Sequence, residues 1–136
     1  MLIQISQTIH ANPELAFEEY KSSALLAETA EKHGYAVERG AGGLETAFVA
    51  ESANGSGPAV AFLAEYDALP GLGHACGHNI IGTAATGAAL AMQAIRDQVQ
   101  GTVKLIGTPA EERGGGKAIL AERGIFAGVD AAMMIH

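Results

Sequence analysis

From Ala59 to Ala64 the chain reads Ala-Val-Ala-Phe-Leu-Ala, with no polar side chain. An unbroken apolar run of strand length suits a strand covered on both faces, and therefore a sheet with helices packed against it. The rest of the chain repeats the theme. An alanine-rich stretch from about Ile80 to Gln98 has the small side chains of a helix lying close on a sheet. Thr102 to Gly107 is a second buried-type strand, a helix passes through Ala118 to Glu122, and Asp130 to Ile135 makes one more strand. Strand, loop, helix, strand, loop, helix, strand predicts parallel strands joined by right-handed crossovers. The expected class is α/β, with a mostly parallel sheet flanked by helices.

The upstream third is less regular. Leu2, Ile5 and Ile9 recur at helical spacing until Asn12 meets Pro13, a dipeptide that disfavours helix. A second helix is predicted from about Phe17 to His33, with Gly34 as its C-terminal cap. Tyr35 to Val37 and Thr46 to Ala50 read as short strands on either side of Gly40-Ala-Gly-Gly43. His10 and Asn12-Pro-Glu14 are expected to serve as turn and capping residues.

Composition removes several function classes. A formal net charge of -7 over 136 residues, with no cluster of Lys or Arg, argues against nucleic acid and anionic membranes as partners. The alanine-rich stretch is interrupted by Gly82, Gly87, Arg96 and Asp97, so no membrane span is expected. One cysteine cannot form an internal disulfide, and no signal-peptide pattern opens the chain. The expectation is a cytoplasmic protein.

The polar residues follow the ends of the predicted strands. After the first comes Glu65-Tyr-Asp67, then His74-Ala-Cys-Gly-His78, with Gly71, Gly73 and Gly77 giving the backbone freedom to turn. After the second come Glu111 and Glu112, and after the third His136. If these strands are parallel, all lie on the edge where open α/β sheets bind ligands. A thiolate and an imidazole two residues apart, with carboxylates and another imidazole nearby, suit a divalent transition metal. One of the paired glutamates can then bind metal while the other takes a proton from water during attack on a carbonyl. Asp67 and Glu65 are candidates to orient an imidazole or balance charge, and His74 is open to several roles. Two other readings stand beside this one: an amidase with Cys76 as nucleophile, and a non-catalytic metal-binding or interaction domain.

Taken together, Asn12-Pro-Glu-Leu15, Asp67-Ala-Leu-Pro70, His74-Ala-Cys-Gly-His78, Pro109-Ala-Glu-Glu112 and Gly114-Gly-Gly-Lys117 resemble the amidohydrolase branch of the peptidase M-twenty family. The resemblance implies a zinc-exopeptidase-like catalytic domain of which residues 1–136 are the N-terminal portion, with the inserted dimerisation domain and a last metal-binding histidine expected beyond His136. It implies two divalent ions, zinc or manganese, and hydrolysis of amide bonds in N-acyl amino acids or small dipeptides by a homodimer. Carried over, Cys76, His78, Glu112 and His136 resemble metal ligands, and Glu111 resembles the general base, with Asp67 beside it as the second candidate catalytic residue. Asn79 and Glu65 stand where many members have Asp, as in the aminobenzoyl-glutamate and dipeptidase-like subset. On this reading the chain by itself is expected to have little activity.

Overall fold

The structure is a computed structural model that describes residues 1–136. Helices α1 (Leu2–Ala11) and α2 (Tyr20–Lys32) lead into strands β1 (Ala36–Arg39), β2 (Phe48–Asn54) and β3 (Ala59–Ala64). Helix α3 (His78–Ala94), strand β4 (Gly101–Gly107), helix α4 (Gly116–Glu122) and strand β5 (Ala131–Met133) follow. No helix is long and apolar enough to cross a membrane.

The five strands form one sheet in the order β1-β2-β4-β3-β5. β3 pairs parallel with both β4 and β5, as the strand–helix alternation predicts. β2 is antiparallel to β4, and β1 to β2, so the sheet as a whole is mixed. The chain reverses in the tight turn at Gly55 to Pro58, and a turn that short cannot supply a parallel crossover. From β3 the chain crosses through α3 to one side, then returns through α4 to the other side of β3.

The two faces of the sheet are read directly from β2. Phe48 and Ala50 join Ile5, Ile9, Leu26, Ala30, Ala85, Ala89, Val103 and Leu105 in the main core, under α1, α2 and α3. Val49, between them, faces the opposite way and packs with Ala41, Ala47 and Leu120 of α4. Helices on opposite faces are what crossovers of one hand produce when their direction reverses. Such a reversal opens a crevice at the C-terminal ends of the strands.

Local chemistry sets the boundaries. Helix α2 starts at Tyr20, later than the pattern predicts, because Phe17 takes a left-handed conformation with φ 64°. Glu14 caps it from outside: Oε1 accepts the Lys21 N–H at 2.9 Å, and Oε2 accepts the Ser22 N–H and hydroxyl at 2.8 Å each. At the other end Gly34 donates to Glu31 and Tyr35 to Ala30, a Schellman ending with Gly34 at φ 92°. Strand β2 runs on past Ala50 to Asn54 because its backbone pairing with β4 continues to Gly101 irrespective of side-chain polarity. β5 is fixed to β3 by a reciprocal pair, in which Ala59 N–H donates to Asp130 Oδ2 and Asp130 N–H to Ala59 O, both at 2.8 Å.

One buried carboxylate joins three parts of the chain. Glu19, fully buried just before α2, accepts the Thr46 hydroxyl on Oε2 and the Ala110 N–H on Oε1, each at 2.8 Å. Burial raises its pKa above the ordinary 4.5, and the two donors oppose that only in part. With the folded pKa above the unfolded one, the folded state holds more protons in that interval, so stability falls as pH rises from 4.5 through the raised value. Glu19→Gln removes this titration. Urea unfolding between pH 4 and 8 is expected to show wild type losing stability relative to the variant as pH rises; a constant difference would contradict the assignment.

Close packing also depends on Gly82 in α3, where a Cβ would lie 2.6 Å from the Glu65 carbonyl oxygen. Gly82→Ala is expected to cost about 1–3 kcal/mol in strain against about 1 kcal/mol gained in helix propensity. The urea midpoint should therefore fall, and a raised midpoint would show that α3 can retreat from the strand without penalty.

Candidate metal centre

The site begins where β3 ends. Glu65, Tyr66 and Asp67 leave the strand buried, and the loop turns through glycines before Gly77, at φ 83°, delivers His78 as the first residue of α3. The left-handed glycine lets the helix start abruptly, with the His78 ring lying back over the loop. Nδ1 of His78 donates to Asp67, with the backbone carbonyl at 2.8 Å and Oδ1 at 3.0 Å. That bond puts the proton on Nδ1 and leaves the Nε2 lone pair pointing into the crevice.

Three carboxylates face that lone pair. Glu65 Oε2 lies 3.5 Å from His78 Nε2, Glu111 Oε2 3.6 Å and Glu112 Oε1 3.8 Å. His136, beyond β5, brings its own Nε2 to 3.4 Å from Glu65 Oε2 and 3.9 Å from Glu111 Oε1. One donor atom each from Glu65, His78, Glu111 and His136 thus falls within 4.8 Å of the other three. Glu65 Oε2 and His78 Nε2 are buried and have no hydrogen-bond partner. Unpartnered buried acceptors are costly, and a set of four converging on one point fits a divalent cation. The Lys117 ammonium lies against the other oxygen of Glu65 and balances part of the charge.

Asp67 organises this cluster from behind. Its Oδ1 holds His78, while Oδ2 accepts the Glu112 N–H at 2.9 Å. Burial alone would raise its pKa, but His78 and the amides of Glu112 and Glu111 outweigh burial and hold the carboxyl below its ordinary value. For His78 burial opposes the charge, yet Asp67 and then Glu112 dominate and hold the imidazole above its usual pKa. The buried His74 is shifted the other way, by burial first and then by His10 and His78.

The expected residues are distributed unequally. Of Cys76, His78, Glu112 and His136, the structure brings His78 and His136 into the tight quartet, together with Glu65 and Glu111. Glu112 lies at the rim, 3.8 Å from His78 Nε2. Cys76 is exposed, and the adjacent Glu112 carboxylate, followed by Glu111 and Asp67, raises its thiol pKa. Anionic surroundings are the opposite of what a thiolate nucleophile needs, so they weigh against the cysteine-amidase reading. Sequence reasoning missed Lys117 and Glu19 as participants. Lys117 stands in the Gly114-Gly-Gly-Lys117 motif with no role attached to it there, and Glu19 resembles an ordinary acidic helix start.

Residues 61–136 match the profile of Peptidase family M20/M25/M40. The chain belongs to this family. Among curated relatives it is 40% identical to a p-aminobenzoyl-glutamate hydrolase component of Escherichia coli, covering 97% of this chain and 31% of that protein. With the Xaa-Arg dipeptidase of Mus musculus the identity is 43%, over 97% of this chain and 34% of the relative. Among solved structures, a dinuclear metal-binding peptidase of Bacillus subtilis superposes with a TM-score of 0.88 at 30% identity, over 96% of this chain and 40% of that one. The chain therefore spans about a third of the length of these curated relatives.

Because Asp67 fixes both the His78 ring and the Glu112 backbone, Asp67→Asn is expected to weaken zinc or manganese binding by about 10–100-fold. Titration calorimetry on the folded chain reads this directly. Unchanged affinity would mean that neither bond matters for holding the ion.

Proposed function

We propose that this chain is the N-terminal portion of the catalytic domain of a metal-dependent amidohydrolase acting on N-acyl amino acids or small dipeptides. The observation that carries the reading is the convergence of Glu65, His78, Glu111 and His136, with buried unpartnered acceptors, at the C-terminal edge of the parallel strands. Family membership supports it, as do relatives described as a hydrolase of p-aminobenzoyl-glutamate and a dipeptidase. A homodimeric, cytoplasmic enzyme is part of the same reading.

The donors available for two divalent ions, zinc or manganese, are His78, His136, Glu65, Glu112 and Cys76. When bound, such ions would supply Lewis acidity and an acidified water. The protein's own groups do the rest. Asp67 keeps the His78 proton on Nδ1, so that Nε2 stays a ligand. Lys117 offsets the charge of Glu65. Glu111, about a third exposed at the mouth of the crevice, has a carboxylate that solvent and substrate can reach. We assign it as general base: it takes a proton from the attacking water and returns it to the amide nitrogen as the C–N bond breaks.

Glu111 also belongs to the donor quartet, so base and ligand roles must be separated. Glu111→Gln keeps the shape and removes the proton acceptor. In the metal-loaded full-length enzyme, of which this chain is the N-terminal portion, release of free amino acid from acylated amino acids and dipeptides is expected to fall by about 10²–10⁴-fold, with metal stoichiometry preserved. Parallel loss of metal and turnover would make Glu111 a ligand. Failure of the wild-type chain to take up zinc or manganese would overturn the metal reading itself.

A further inference from the structure

We infer that Glu19 is a positioning residue for the proposed base, holding the Pro109–Glu112 loop in the one backbone conformation that turns Glu111 into the crevice. The inference rests on the metal-dependent hydrolase reading for its chemistry and on backbone geometry for its mechanism.

Ala110 precedes Glu111 and takes a left-handed conformation at φ 59°, one of only two non-glycine residues in the chain with positive φ. For an alanine this conformation is unfavourable and persists only when its surroundings impose it. The imposing contacts are all present. The Ala110 N–H donates to Glu19 Oε1 at 2.8 Å, across 91 positions of sequence. The Ala110 carbonyl accepts from Gly115 at 3.0 Å and Gly116 at 3.3 Å, at the start of α4. Gly116 can approach that closely only because it lacks a Cβ, which would lie 1.9 Å from the Pro109 carbonyl oxygen.

Beyond Glu111, the Glu112 N–H is held by Asp67 Oδ2 at 2.9 Å. Glu111 is therefore flanked by two amides, each donating to a buried carboxylate. Asp67 is already part of the site; Glu19 lies outside it and does not touch the quartet. Its own orientation is set by the Thr46 hydroxyl at 2.8 Å, and the Thr46 carbonyl in turn accepts the Tyr66 hydroxyl at 2.6 Å. Tyr66 lies between Glu65 and Asp67 in the chain, so the same network returns to the loop that carries the other ligands.

Replacing Glu19 with alanine leaves the Ala110 amide buried without an acceptor and frees the peptide to relax out of the left-handed region, which rotates Glu111 away. Glutamine preserves the contact: its carbonyl accepts from Ala110, and its amide donates to the Thr46 oxygen. Aspartate keeps the charge but is one methylene too short to reach both partners.

The test compares Glu19→Ala, Glu19→Asp and Glu19→Gln in the full chain by hydrogen exchange and by calorimetric titration with zinc and manganese. Exchange at the amides of Ala110 to Glu112 should accelerate by about tenfold or more in the alanine and aspartate variants, while the β4 amides stay protected. Because the same loop carries the donor Glu112, ion affinity should also fall by about 10–100-fold in those two and return to within about threefold of wild type in the glutamine variant. If the alanine variant does not fold, shown by loss of β4 protection, the aspartate variant carries the comparison. Wild-type loop exchange in the variant that folds overturns the inference, as does a glutamine variant no better than aspartate. A wild-type chain that binds neither ion overturns the hydrolase reading, and the loop exchange still decides the role of Glu19.

Discussion

The structure turns on how buried carboxylates are satisfied where the strands end. Asp67 and Glu19 are both removed from water, and each uses its two oxygens to tie together segments far apart in sequence. A buried carboxylate is costly unless its oxygens accept hydrogen bonds, so these residues are fixed in place by the same contacts that position their neighbours. Glu65 is the exception. It is equally buried, yet it meets a lysine on one side and two imidazoles on the other, with one oxygen left for a cation. In one small region the contrast separates carboxylates that build the scaffold from one that faces the chemistry.

Much of the architecture was legible in the sequence. The apolar run at Ala59–Ala64 and the alternation after it predict β3, α3, β4, α4 and β5 in order, and parallel pairing collects their C-terminal residues on one edge. What the alternation could not convey is the antiparallel half. β1 is short, β2 is polar along its second half, and their pairing depends on backbone hydrogen bonds that leave no periodic trace. The left-handed Phe17 likewise trims a helix whose side-chain pattern runs on smoothly.

The site was legible in outline and less so in detail. Motif spacing identified His78, His136 and the paired glutamates as residues that belong together. Which atoms meet depends on rotations that spacing does not encode. Glu65 gains its place because β3 ends one residue earlier and points it inward, while Cys76 sits on the exposed turn before α3. Glu19 was invisible for a different reason. Its partner Ala110 is a residue with no side-chain chemistry, so nothing in either segment marks the bond between them.

The parallel pairing of β5 with β3 also has a kinetic consequence. The contact that docks them, Asp130 to Ala59, closes 71 positions of chain, and β5 is only three residues long. Loop closure of that kind is paid for before it is rewarded, so pairing of β3 with β4, joined through α3 alone, is expected to precede docking of β5 at the edge. His136 reaches Glu65 only after that docking step. On that order the full set of donors would be assembled late, and a bound cation would stabilise the finished fold without having nucleated it.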